Sequence, residues 1–233
     1  MSAIRLRGAT SGTTDVVAAA IAGDGVLSLP TGTGTLATAA SVTAAQAAAT
    51  AAGIAGGGLV AVAPTSIANS GGSASTTGNT TTFTGVTSIS LNGIFTSEYL
   101  NYLLIYNQIT SAGTDLFARL RVAGTDNTTA SSYVAQRLTA SSSTVAAVRT
   151  TGDKWSVTQS NNLGQNGIML NLFNPAIADH TVINSQTASS DTGAYLALYC
   201  GTHNQSTVYD GFTLLTVTAT TLTGKVTVYG YKK

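Results

Sequence analysis

The chain has 233 residues, 43% of them hydrophobic and only 8% charged, with a formal net charge of +1. Soluble domains are ordinarily about 25% charged, so ion pairs cannot wet this surface, and near-zero net charge leaves no electrostatic footprint for nucleic acid or an anionic membrane. Hydroxyls and amides take the place of charge: there are about 40 threonines, a residue type favoured in strands.

The first segment, 1–37, reads as a small β-module. In IRLRG, Ile4 and Leu6 share one face and Arg5 and Arg7 the other, the period of a half-buried strand. DVVAAAIAGDGVLSLP reads as two strands about an Asp24-Gly25 hairpin turn, closed by Pro30. So small a segment cannot bury a core of its own, which points to oligomerisation. Residues 38–56 are alanine-rich and free of proline, the composition of a helix, with Thr38 or Ser41 as cap and GIAGGG as terminator. Leu36, Ala40, Thr43, Ala47, Thr50 and Ile54 fall at 4-3 spacing, a coiled-coil seam of small residues. Residues 57–85, rich in Gly, Ser and Thr, read as a linker with one strand at LVAVA.

From 86 to 233 strand signals recur at intervals of about 8–12 residues, the spacing of an antiparallel β-sandwich of jelly-roll type. LNYLLIYNQI places Leu100, Tyr102, Leu104 and Tyr106 on one face. LFARLRV places Leu116, Ala118, Leu120 and Val122 inward, with Phe117, Arg119 and Arg121 opposite. Eight further runs complete about ten strands: SYVAQRL, STVAAV, KWSVTQ, GIMLNLF, TVINSQ, AYLALYC, FTLLTV and KVTVYGY. The single cysteine, Cys200, lies in one of them and reads as a buried strand thiol.

Catalytic chemistry is not expected. Most acids stand in turn contexts such as GDG, TDN, TGD and YDG, where Asp bonds its own backbone. His180 and His203 have no ligand partner at metal spacing, so neither a metal nor a cofactor is expected. GIAGGG lacks the Lys-Ser/Thr of a phosphate loop. The stronger lead is aromatic and polar. Trp155, Tyr209, His203, Arg119 and Arg121 are the candidates for a ligand or subunit-interface surface, although Trp155 and most tyrosines read more readily as sandwich-core or trimer-interface residues. The opening MSAIRLRGAT carries no apolar stretch of a secretory signal, and no window approaches the roughly 18 apolar residues of a membrane span.

Two stretches resemble bacteriophage fibre and head-fibre proteins of marine and cyanobacterial type. One is IRLRGATSGTTDVVAAAIAGDGVLSLPTGTGTLAT, similar to the β-module that opens many phage structural proteins. The other is SISLNGIFTSEYLNYLLIYN with LRVAGTDNT and the closing GTHNQSTVYDGFTLLTVTATTLTGKVTVYGYKK, which resembles a C-terminal β-sandwich of phage tail and head proteins. The resemblance implies a homotrimer on the virion surface, assembled in the bacterial host cytoplasm. It implies an N-terminal part attached to the major capsid protein or a tail adaptor, and a head facing a host glycan or protein. A tail fibre, a capsid head fibre and a cement protein without receptor role all fit. A polysaccharide depolymerase fits less well, since it calls for a long repetitive β-helix and clustered acids.

Overall fold

Alternating side chains and Gly-Asn-Asp turns produce strands over most of the described residues. The computed structural model describes residues 3–7, 13–17, 42–46, 58–141, 143–160, 165–189, 195–216 and 219–233. The chain divides into two units, Met1–Ala48 and Ala49–Lys233. In the first, β1 (Ala3–Arg7) pairs antiparallel with β2 (Thr13–Val17), and residues 42–46 form one helical turn in which Val42 and Thr43 are exposed. Of the expected stalk residues, Leu36, Ala40, Ala47, Thr50 and Ile54 lie outside the described residues, as does the Asp24-Gly25 hairpin.

The second unit is mainly β and entirely antiparallel, two sheets face to face. One sheet has the order β10-β9-β17-β7-β4, with β13 also on β9. Its strands are β4 (Ser66–Ser70), β7 (Ser88–Asn92), β9 (Thr114–Val122), β10 (Thr125–Asp126), β13 (Trp155–Ser160) and β17 (Gly211–Leu215). The other runs β12-β11-β16-β15-β14-β8-β18-β6-β5, with β3 also on β18. Its strands are β3 (Leu59–Ala61), β5 (Ser73–Thr77), β6 (Thr80–Val86), β8 (Tyr99–Thr110), β11 (Tyr133–Ser141) and β12 (Thr144–Gly152). They continue with β14 (Asn166–Phe173), β15 (Thr181–Ser189), β16 (Tyr195–His203) and β18 (Leu222–Lys232). Each of the ten strands expected after residue 86 is present, joined by β7 and the two-residue β10.

Phe83, Leu91, Tyr102, Leu104, Leu120 and Phe212 belong to the apolar core of this unit. Hydroxyls share the interior: Thr110, Thr158, Ser185 and Thr187 are fully buried. Ser185 Oγ donates to Val157 O at 2.7 Å, and Thr187 Oγ1 donates to Thr158 Oγ1 at 2.7 Å. These bonds fasten β13 to β15, so part of the threonine content serves the interior rather than the surface.

Four details depart from the sequence reading. Residues 57–85 are not a linker with one strand: they supply β3, β4, β5 and β6, and bury Phe83 and Thr81. Glycine there serves a corner. The chain changes sheet between β4 and β5 and again between β6 and β7, and Gly71, Gly72 and Gly85 all have positive φ. A Cβ on Gly72 would collide with the carbonyl of Thr84. Leu100 and Val122, expected inside, are exposed because both stand at strand ends, past the covered part of the sheet. Arg121, expected on the open face, is buried. Cys200, expected inside, is exposed. Ala197, Tyr199 and Gly201 take the inward phase of β16 and leave Leu196, Leu198 and Cys200 outward.

Candidate interaction surfaces

Arg119 and Arg121 lie on the outer face of the smaller sheet, one register step apart. Arg121 pairs with Gly211, where a Cβ would stand 3.3 Å from that of Arg121. The missing side chain leaves a trough for the arginine. Its Nε donates to Asn92 Oδ1 at 3.0 Å, and its Nη1 donates to Ser90 Oγ at 3.0 Å and Thr213 Oγ1 at 2.8 Å. It also pairs with the Asp126 carboxylate and donates to the carbonyl of Gly124. Arg119 bonds the Asp153 carboxylate and its main-chain oxygen, and Lys154 caps the other carboxylate oxygen at 2.9 Å. That lysine also stands 5.3 Å from the centre of the Phe117 ring. Its hydrogen bond, aided by Arg119, holds the Asp153 carboxyl below the usual carboxylate range. Arg121 thus fastens the β9–β10 hairpin to β7 and β17, and Arg119 fastens β9 to the turn between β12 and β13.

Trp155, His203 and Tyr209 are brought together, but inside the sandwich: each is fully buried. Tyr133 joins them, 5.0 Å from the Trp155 ring and 4.1 Å from that of His203. Trp155 fits because β16 has Gly201 opposite it, where a Cβ would be 3.0 Å from the indole. The indole N–H donates to Thr202 O at 3.1 Å. His203 Nδ1 faces the carbonyl of Ser132 at 3.2 Å and must carry the proton, since a carbonyl only accepts. Nε2 therefore accepts from the Tyr209 hydroxyl at 2.6 Å, which in turn accepts from Asn127 Nδ2 at 2.7 Å. Burial pushes the imidazole down to about 4, against the pull of the Ser132 bond, so His203 is neutral at physiological pH. Expected as a ligand or interface surface, these three residues present no exposed area on the chain.

The exposed apolar surface lies elsewhere, on the outer face of the larger sheet. In register across five strands stand Ala147 (β12), Leu138 (β11), Leu198 (β16), Gln186 (β15) and Met169 (β14). The next outward row adds Val145, Ala140, Leu196, Ala188 and Gly167. Val145 is 69% exposed, Leu138 46% and Met169 47%. On the outward positions of these five strands Arg149 is the one charged residue. Sequence reading missed this face because its leucines sit in runs such as AYLALYC, where both phases look apolar and the period does not say which is outside.

Among the described residues no three His, Cys, Asp or Glu converge as a metal site, and no helix is long and apolar enough to cross a membrane. Compared with family models, curated proteins and solved structures, the chain matches none.

Proposed function

We propose that the protein is a non-enzymatic bacteriophage virion component, a short homotrimeric fibre fixed to the particle by its N-terminal β-module and displaying the β-sandwich for adhesion to the host surface. The observation that carries the oligomeric part is the outer face of the larger sheet. Its outward rows over five strands carry leucine, valine, methionine and alanine with Gln186 among them and Arg149 as the one charge, and exposed apolar area of this kind marks an interaction site. Two further copies of the chain are the cover this reading assigns to it. The virion assignment rests on the resemblance of the opening module and the closing strands to phage fibre and head-fibre proteins. Particle attachment through the major capsid protein or a tail adaptor follows from that resemblance, and a cement protein without receptor role is the second reading. Mass spectrometry of purified particles should detect the chain, with a copy number divisible by three. Its absence from intact particles, or release of reducing ends from host polysaccharide by the purified protein, would overturn the proposal.

A further inference from the structure

The outer face of the larger sheet changes character beyond β14. The row that ends on Gly167 continues in register through Asn107 (β8), Lys225 (β18), Thr82 (β6) and Ser75 (β5). The apolar half thus stops at Gly167, and a half bearing hydroxyls and one ammonium begins. A trough of about 280 Å³ is set into this second half, lined by Lys225, Asn107, Thr82, Thr84, Thr223 and Gln165. It sits where the β6–β18 register shifts between Leu222 and Gly224, a bulge of the kind that bends a strand. Gly224 lies so close to β8 there that a Cβ would collide with the Asn107 carbonyl. Lys225, Asn107, Thr82, Thr84 and Thr223 are all exposed. Among the described residues neither Lys225 Nζ nor the Asn107 amide has a partner, and the Thr82 and Thr84 hydroxyls are likewise open.

The charge pattern selects the ligand. None of β5, β6, β8 and β18 contains an acid, so Lys225 stands on these four strands as a cation without a counter-charge and favours an anion. A single cation is too little for a polyphosphate, whose binding grows with the number of phosphates neutralised. The hydroxyls and amide around it both donate and accept, which matches a ligand rich in hydroxyls. Thr223 Oγ1 already accepts from the Gly85 N–H at 3.0 Å and offers its own hydrogen outward. Branching at Cβ holds threonine χ1 stiff, so little side-chain freedom is lost on binding. The sheet spaces these groups about 4.8 Å apart between strands and about 6.8 Å apart along them, a fixed array for a chain laid across it. We infer that this trough is a subsite for an acidic polysaccharide, one hexuronate residue placing its carboxylate on Lys225 and the Asn107 amide and its hydroxyls on Thr82, Thr84 and Thr223. The inference gives the adhesive reading of the sandwich its ligand class and rests on that reading.

Affinity electrophoresis of the full chain through gels carrying polygalacturonate, alginate or hyaluronate, each read against a polymer-free gel, tests it. Fully methyl-esterified polygalacturonate supplies the same chain without its charge. At least one of the three acidic polymers should retard the protein, and the methyl ester should not. Lys225→Gln removes the charge and should weaken binding roughly tenfold, as loss of one charged hydrogen bond implies. Thr82→Val keeps the shape, removes one hydroxyl and should weaken it by a smaller factor. Arg149→Gln removes the same charge from the apolar half of the face and should leave binding unchanged. All three positions are exposed, so the far-UV spectrum should stay that of the unmodified chain. No retardation by any of the three polymers, equal retardation by the methyl ester, or equal weakening in Arg149→Gln overturns the inference. Uronate binding that depends on Lys225, without adhesion of the protein to host cells, would refute the adhesive role and leave the subsite standing. Adhesion by a protein that binds none of the three polymers would do the reverse.

Discussion

His203 shows how one buried residue sets a response to acid. Its ring is enclosed by Tyr133, Trp155 and Tyr209, and the proton on Nδ1 is fixed by the Ser132 carbonyl. In the unfolded chain the imidazole titrates near 6.5, and in the fold at about 4. Between those values the unfolded chain binds the proton that the folded one refuses. Stability therefore falls as pH drops from 6.5 to 4, by up to about 3 kcal/mol. Urea midpoints measured across that range should decline, and His203→Gln should flatten the decline. Arg121 gives a second residue-scale expectation. Its guanidinium holds Asp126, Ser90, Thr213 and Asn92 at once. Arg121→Met removes the charged partner of Asp126 and leaves its carboxylate to the Thr213 hydroxyl, which costs about 2 kcal/mol and should appear as a lower urea midpoint with an unchanged slope.

At the scale of elements, turn geometry decides which strands meet. The β9–β10 loop is Ala123-Gly124, and both residues have positive φ, the two-residue hairpin geometry matched to strand twist. Alanine is strained there by about 1 kcal/mol, so Ala123→Gly should raise the melting temperature by a few degrees. Gly72→Ala at the sheet-changing corner should do the opposite and lower it strongly, because strain and collision with Thr84 act together. Much of this level was legible in the sequence. The alternation of LNYLLIYNQI set the inward phase of Tyr102, Leu104 and Tyr106, and ten strands were readable from period and turn residues. Three things were not. Gly/Ser/Thr composition hid β4, β5 and β6, because threonine serves a linker and a strand equally well. Arg121 looked exposed because no period reveals that Gly211 leaves it a trough. The apolar phase of AYLALYC was ambiguous, which misplaced Cys200 and concealed the outer face. For the site candidates, Arg119, Arg121, Trp155, His203 and Tyr209 were read as functional by residue type. Burial makes two of them a sheet clamp and three of them core.

For the whole molecule, the balance of surfaces is the argument. The smaller sheet covers its outer face with a polar ladder built on Arg119 and Arg121, while β12, β11, β16, β15 and β14 of the larger sheet leave leucine, valine and methionine outward with Arg149 as their one charge. Leu138 and Leu198 face each other across β11 and β16. Leu138→Lys with Leu198→Lys touches nothing in the core and should leave the strand content unchanged while weakening self-association by at least roughly tenfold, since each substitution adds a charge that must be desolvated on assembly. Acid, corner and clamp variants should act on folding, and this pair on assembly alone. Sedimentation equilibrium of the full chain at micromolar concentration tests the central claim directly. The account predicts a single species of three times the 23.4 kDa chain mass, shifting to lower mass in the double lysine variant; a monomer of 23.4 kDa in the unmodified protein would contradict it.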